Sequence, residues 1–178
     1  MVFVDVIYCN STKQFCAVLH STGEVFAIDI GEDRGFLPRT TRIAPPTLNH
    51  WVSQRSLVET PSGDLLQVFQ LGRSNFEVYL LDPIKRDWIQ IHSLGDNALF
   101  LGNNSSMYLS ATTFPGCKPN CIYYNFSWVY RESPNGYNPK ESGIFNLESN
   151  SYESHYAFDA KVILSPPIWL EHVTKESL

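Results

Sequence analysis

Positive charge is scarce in this sequence and is nowhere clustered. The 178 residues include 13 lysines and arginines against 18 aspartates and glutamates, which gives a formal net charge of -5. Proteins that bind the phosphate backbone of a nucleic acid present a basic face to it. A nucleic-acid partner is therefore not expected.

Long hydrophobic runs are also missing. No segment approaches the roughly 18 consecutive apolar residues of a membrane-spanning helix, so membrane association is not expected either. The opening residues, MVFVDVIYCN, lack the basic start and the small-residue cleavage site of a secretory signal. We therefore expect a cytoplasmic or nuclear protein. The 43% hydrophobic content is enough for the core of a single domain spanning residues 1–178.

What the sequence has instead is a succession of short apolar or alternating runs. These runs are 4 to 7 residues long and are separated by Gly, Pro, Asn, Asp and Ser, which is the pattern of β-strands joined by turns. No long segment with the helical period of about 3.6 residues competes with them. The sequence therefore predicts an all-β fold.

Two hairpins have closely similar sequences. LHSTGEVFAI (19–28) and VETPSGDLLQVF (58–69) each place a glycine, Gly23 or Gly63, where a tight turn requires a positive φ. The two glycines lie 40 residues apart. A repeat of this length with hairpins inside it is typical of propeller blades, which are four-stranded sheets arranged around an axis.

Two blades can be followed run by run. The blade that contains the second hairpin is predicted to have strands at 56–60, 65–71, 76–81 and 88–93. The blade after it is predicted from the runs at 97–102, 106–112, 121–126, 143–147 and 151–156.

A polar turn recurs near the end of each of these blades. One strand ends at Asp82-Pro83 and Trp88 opens the return strand, while a weaker copy of the pattern has Asn146-Leu147 and Tyr152. Large aromatic rings dominate core energetics. Trp88 is therefore predicted to pack between blades and to have a structural role.

The order and spacing of several runs resemble one family. SLVETPSGDLLQVFQLG (56–72) is followed by SLGDNALFLG (93–102), by FPGCKPNCIYY (114–124) and by the closing SPPIWLEH (165–172). Together they resemble the KIB-type β-propeller domain of plant F-box proteins, from about Asp5 to His172. The second and third of these runs are the most specific part of the resemblance.

The resemblance implies a kelch-like β-propeller, of which this chain forms a partial ring of about four antiparallel blades. In complete family members the propeller follows an F-box, a helical module that docks on the Skp-type adaptor of a cullin ubiquitin ligase. The propeller is expected to select the client protein, whose identity stays open. The chain resembles the C-terminal half of the propeller and has no helical start, so a Skp-type adaptor is an expected partner only if the full-length protein carries an F-box.

Two cysteines lie in FPGCKPNC (114–121), and this run has to be considered as a possible metal or redox site. Cys117 and Cys121 form a C-x3-C pair, which is half of a zinc site, but no second Cys/His pair with suitable spacing follows. The spacing also differs from the C-x-x-C of redox pairs, and a disulfide is unusual in a protein that is not exported. We predict a turn with buried thiols, no metal and no cofactor.

No constellation of residues indicates catalysis. Ser105-Ser106 lacks the G-x-S-x-G motif of a hydrolase nucleophile. Glu24 and Asp64 fall at equivalent hairpin turns. They are expected to be solvated turn residues and not a catalytic acid/base pair. The sequence therefore predicts a protein-interaction propeller that is not an enzyme. The alternative is a carbohydrate-binding or carbohydrate-active propeller.

One long polar loop is the candidate partner-binding segment. VYRESPNGYNPKES (129–142) carries Tyr130, Arg131 and Tyr137, residue types that are enriched at interaction hot spots. We predict that these three residues contact the client protein. A disordered insertion explains the same composition.

The cysteine assignment makes a direct prediction. Because Cys117 and Cys121 are assigned to packing, replacing both with Ala should lower the free energy of unfolding modestly and should release no zinc. Metal analysis of the purified protein checks this. Zinc present in stoichiometric amount would contradict the assignment.

Overall fold

The protein is built from β-strands throughout the part of the chain that the structure describes. The structure is a computed structural model, and it describes residues 2–31, 38–47, 52–72, 74–103, 105–114, 116–125 and 142–154. These residues form thirteen strands in three sheets, which confirms the predicted all-β fold. Nowhere in these ranges does a helix have the length and hydrophobicity that a bilayer span requires.

The first sheet is a four-stranded antiparallel meander. Its strands pair in the order β1-β2-β3-β4 and comprise β1 (Phe3–Cys9), β2 (Gln14–Leu19), β3 (Val25–Asp29) and β4 (Arg39–Ala44). The turn between β2 and β3 contains Gly23, whose φ is +71°. This value confirms the positive φ predicted for the first hairpin.

The second sheet repeats this arrangement. Its order is β5-β6-β7-β8, with β5 (Gln54–Glu59), β6 (Leu65–Leu71), β7 (Asn75–Asp82) and β8 (Asp87–Ile91). Gly63 lies in the turn between β5 and β6 and has a φ of +88°. The four strands match the predicted blade, although β5 begins earlier than expected, at Gln54.

The third sheet contains one pairing that the sequence did not predict. Its order is β10-β9-β11-β12-β13, with β9 (Asn97–Gly102), β10 (Ser106–Ser110), β11 (Cys121–Asn125), β12 (Ser142–Asn146) and β13 (Ser151–Ser154). Strands β9 and β11 are parallel, whereas the other three pairings of this sheet are antiparallel. The hairpin partner β10 already occupies one side of β9, so the chain must cross back before β11 can pair on the other side.

The three sheets are arranged as blades around a common line. Strands β1, β5 and β10 each lie at an edge of their sheet, and β5 contacts both β1 and β10. The sheets therefore meet at these edges and fan outward, as propeller blades do. The sequence predicted about four blades, and residues 155–178 at the C-terminal end lie outside the described residues.

Most of the core lies in two layers between neighbouring sheets, and a smaller third cluster, around Cys121 and Tyr123, belongs to the third sheet alone. Leu57 belongs to the cluster between the first and second sheets, whereas the next residue, Val58, belongs to the cluster between the second and third. Strand β6 is buried along nearly its whole length, because both faces of its sheet are covered. The larger cluster also includes Phe76, Tyr124 and Phe145, whose rings pack together.

Trp88 packs where the sequence predicted. It is half-buried against the cluster between the first and second sheets. Its indole Nε1 donates a hydrogen bond to the carbonyl oxygen of Pro45 at 3.0 Å. The residue therefore joins two blades, which confirms its structural assignment.

The recurring polar turn is confirmed atom by atom. Asp82 Oδ1 accepts hydrogen bonds from the backbone N–H groups two and three residues later, at 2.8 and 3.0 Å. Asn146 Oδ1 does the same at 3.1 and 2.9 Å. Both turns then place a non-glycine residue at positive φ, Arg86 at +53° and Asn150 at +50°. Aspartate and asparagine thus serve the same local purpose in the two sheets.

This turn chemistry predicts a difference between two substitutions at one position. Asn146→Ala removes the acceptor for two backbone N–H groups and should lower the free energy of unfolding by about 1 kcal/mol. Asn146→Asp keeps a side-chain acceptor, as Asp82 does, and should cost clearly less. Urea unfolding of both variants beside the wild type checks this, and an equal loss in both would contradict the assignment.

An axial groove as the candidate binding site

The loop that the sequence suggested for partner binding lies outside the described residues. Tyr130, Arg131 and Tyr137 all fall within residues 126–141, which the structure does not describe. Their role in client binding therefore stays a prediction.

A groove runs beside the line where the three sheets meet. Its volume is about 620 Å³, a size that suits a small ligand or part of a peptide. Four parts of the chain line it: the end of β1 (Ile7, Tyr8), the β1–β2 turn (Asn10, Ser11), the β5–β6 region (residues 59–63) and β10 (residues 106–109). We call this the axial groove.

The axial groove combines hydroxyl groups and aromatic rings, and no lysine or arginine occurs among the described residues that line it. Tyr8 is 47% exposed and packs edge-on against Phe15, with ring centroids 5.2 Å apart. Burial, together with the negative charge of Asp64, raises the pKa of Tyr108, so this phenol stays protonated and can donate a hydrogen bond. The lining therefore suits a neutral or cationic polar ligand better than a phosphate.

Glu59 joins the first two sheets at the groove. Its carboxylate accepts hydrogen bonds from the backbone N–H groups of Asn10 at 2.6 Å and Ser11 at 2.8 Å, and from the Ser11 hydroxyl. Burial raises the pKa of this carboxyl, but the combined hydrogen bonds outweigh burial and hold it below its ordinary value. These structural hydrogen bonds therefore occupy the carboxylate and leave it less available to a ligand.

The need for Glu59 follows from the form of the β1–β2 turn. Lys13 has a φ of +57°, like the equivalent residues in the two polar turns described above. However, the strand before this turn ends at Cys9, whose side chain is a poor acceptor. Glu59 supplies the missing acceptor from the neighbouring sheet.

The two turns approach each other closely at Gly63. A Cβ atom added there would lie 2.8 Å from the Cβ of Ser11, so a side chain would force the turns apart. Positive φ and close approach therefore both require glycine at this position.

A second carboxylate connects the same two sheets further along the axis. Asp5 Oδ2 accepts a hydrogen bond from the backbone N–H of Leu57 at 2.7 Å, and Oδ1 accepts one from the N–H of Val6 at 2.9 Å. Burial raises the pKa of Asp5 despite these donors. The sequence analysis missed both acidic residues, although an aspartate inside the apolar run FVDVIY was a usable signal.

Glu24 and Asp64, the two turn carboxylates weighed as an acid/base pair, each accept hydrogen bonds within their own sheet. Glu24 accepts hydrogen bonds from Arg42 at 3.0 Å and from Thr22 at 2.9 Å. Asp64 accepts one from Ser62 at 2.6 Å. These contacts agree with the assignment of both as turn residues.

The run FPGCKPNC is the crossover that leads into the parallel strand β11. Cys121 is buried and Cys117 is half-buried, and burial raises the pKa of both thiols. Asn120, at a φ of +58°, accepts a hydrogen bond from the N–H of Leu94 at 2.7 Å and so ties the crossover to the sheet. Among the residues that the structure covers, no cluster of three or more metal-ligating side chains occurs.

The Glu59 contacts predict a pH-dependent contribution to stability. The folded-state pKa lies below the ordinary value of 4.5. The contribution is therefore fully present above pH 4.5 and is lost as the pH falls through the folded-state value.

Glu59→Gln should lower the free energy of unfolding by about 0.5 kcal/mol at neutral pH, a small effect because the pair of turns is exposed to solvent. The difference from wild type should shrink as the pH falls below 4.5. Urea unfolding across this range measures it, and a difference that does not change with pH would contradict the assignment.

Comparison with known proteins relates this fold to F-box proteins of Arabidopsis thaliana. The chain is 28% identical to F-box protein At2g26160 over 134 residues, which cover 65% of this chain and 40% of that protein. It is 40% identical to F-box protein At2g05970 over 68 residues, 36% of this chain and 18% of that protein. With F-box protein KIB4 it shares 31% identity over 88 residues, 49% of this chain and 21% of that protein. No solved structure matches the chain significantly.

A family model extends the relationship over most of the chain. The model, described as the KIB1-4 beta-propeller, matches residues 1–146, a range that includes every strand up to β12. The chain spans at most about 40% of the length of the curated relatives compared above. The fan of three sheets agrees with this match, and the chain belongs to the KIB1-4 beta-propeller family.

Proposed function

We propose that this chain is a protein-interaction propeller that recognises a client protein of an F-box type ubiquitin ligase receptor, and that it has no catalytic activity of its own. The relatives named above are F-box proteins, and the chain matches part of their length. The axial groove is the observation that carries the proposal, because it offers a mixed polar and aromatic surface at the meeting point of three sheets.

The groove suits an extended polypeptide segment. Strand β10 forms one wall, and within the part of the chain that the structure describes it is an edge strand of its sheet. An edge strand leaves one row of backbone N–H and C=O groups without a partner strand, and an extended peptide can pair with such a row. Tyr8 and Tyr108 stand at the sides of the groove, and tyrosine is enriched at interaction hot spots.

Adaptor binding is proposed to belong to another part of a full-length receptor. The described residues are strands and turns, whereas the expected docking module for a Skp-type adaptor is helical. We therefore propose that this domain selects the client in the cytoplasm or nucleus and leaves adaptor docking to the F-box. Residues 129–142 would extend the client surface if they lie near the groove.

A carbohydrate ligand is the second candidate, and Tyr8 is the observation that favours it. A sugar ring packs well on an exposed aromatic face, and Tyr8 is 47% exposed beside hydroxyl groups of the groove. The two candidates are distinguished by the kind of molecule that binds to the protein, a polypeptide or a glycan.

A bulky side chain in the groove should block client binding. Ser62 is exposed in the β5–β6 turn that lines the groove, so Ser62→Arg should reduce recovery of the client by about tenfold, the effect of losing ~1.4 kcal/mol of binding free energy. Affinity capture from plant extract, followed by mass spectrometry, measures this. Ile84→Arg is the matched control, because Ile84 is 92% exposed on the β7–β8 turn and does not line the groove.

Equal loss of the client in both variants would contradict the groove as the binding site. Recovery of a Skp-type adaptor with this chain alone would contradict the proposed division of labour. Enrichment of glycans with no protein would favour the carbohydrate candidate.

A further inference from the structure

Two cysteines that the sequence analysis did not consider form a close pair inside the first sheet. Cys9 ends β1 and Cys16 lies on β2, where the register places them diagonally across the hairpin on one face. Their Sγ atoms are 2.9 Å apart, and both thiols are free. The two Sγ atoms would have to approach each other by under ~1 Å to form an S–S bond of about 2.05 Å.

The surroundings of the pair restrict which oxidants reach it. Cys9 is 4% exposed and Cys16 is 2% exposed, and both belong to the apolar cluster between the first and second sheets. A protein disulfide is too large to approach sulfur atoms that are buried to this degree. Asn10, the residue after Cys9, is exposed at the rim of the axial groove, so local opening of the β1–β2 turn would let a small hydroperoxide reach the pair.

We propose that Cys9 and Cys16 form a thiol-oxidation site, at which a hydroperoxide converts the two thiols into an intramolecular disulfide. The site is separate from the C-x3-C run, whose two cysteines lie in the third sheet and its crossover. It is also independent of the proposed client binding.

Cys16 is the sulfur that reacts first. The Cys9 S–H donates a hydrogen bond to Cys16 Sγ. This hydrogen bond lowers the pKa of Cys16 and raises the pKa of Cys9, while burial and the negative charge of Glu59 oppose ionisation at both. The thiolate is the nucleophile in such reactions, so the hydrogen bond selects Cys16 as the attacking group.

The reaction balances in two steps. The Cys16 thiolate attacks one oxygen of the hydroperoxide, the O–O bond breaks, and the leaving oxygen takes up a proton as water or an alcohol, which leaves a sulfenic acid on Cys16. Cys9 then attacks the Cys16 sulfur, the S–O bond breaks, and the departing hydroxide takes the Cys9 proton to form water. The two sulfurs lose two electrons in total, and the hydroperoxide gains them.

The product would fix the hairpin at one wall of the groove. Cys9 directly precedes the β1–β2 turn, whose N–H groups of Asn10 and Ser11 bond to Glu59. A link between Cys9 and Cys16 closes a short loop around this turn and holds β1 to β2 there. A reducing dithiol reopens the link after local opening of the hairpin.

Hydrogen peroxide titration of the reduced full chain tests the proposal. Of the four free thiols, two should disappear, the intact mass should fall by two hydrogens, and peptide mapping without reduction should find Cys9 linked to Cys16. The double variant Cys117→Ser, Cys121→Ser should still lose two thiols. In Cys9→Ser the disulfide should be lost, and a sulfenic acid on Cys16 should become trappable by dimedone.

Peptide mapping of the wild type keeps the proposal testable even if a cysteine variant fails to fold. The proposal would be overturned by a disulfide that involves Cys117 or Cys121, or by a disulfide between two chains. It would also be overturned if all four thiols survive an excess of peroxide that oxidises a free thiol standard.

Discussion

Packing between neighbouring sheets is the constraint on which the rest of this structure depends. The second sheet is covered on both faces, so Leu57 and Val58, adjacent on one strand, enter two different core layers. Full burial of one such side chain stabilises the fold by about 1.5 to 3 kcal/mol, whereas a single hydrogen bond contributes about 1 kcal/mol. The apolar layers therefore hold the sheets together, and the polar contacts between sheets set their relative position.

The axial groove is a product of these polar contacts. Asp5 reaches the backbone of Leu57, and Glu59 reaches the backbone of Asn10 and Ser11. Each carboxylate accepts hydrogen bonds from backbone N–H groups that are not used in strand pairing. As a result the edges of β1 and β5 are held side by side, and the space beside them, closed by β10, becomes the groove.

Local features of this fold could be predicted from the sequence because they depend on neighbouring residues. The positive φ of Gly23 and Gly63, the strands of the second sheet and the place of Trp88 follow from turn chemistry and alternation. The parallel pairing of β9 with β11 could not be predicted in this way, because β10 and the crossover separate the two strands and alternation does not reveal a partner.

The contacts at the candidate site likewise depend on how distant parts of the chain pack, which the sequence does not reveal. Glu59 and its partners are 48 and 49 residues apart in sequence, and Asp5 and Leu57 are 52 apart, so only the packing of the sheets brings them together. Cys9 and Cys16 are close in sequence, but their contact depends on the register of β1 with β2. The sequence pointed to the long polar loop of residues 129–142, because loop composition is visible without knowledge of which edges meet, and the role of that loop stays a prediction.

The central claim is that a client protein occupies the axial groove. Hydrogen–deuterium exchange of the chain, with and without a client recovered by affinity capture, tests it most directly. The account predicts slower exchange in residues 60–64 and 106–110, which line or border the groove, and unchanged exchange in residues 83–86 of the β7–β8 turn. Protection of residues 83–86 with no change at the groove would contradict the account.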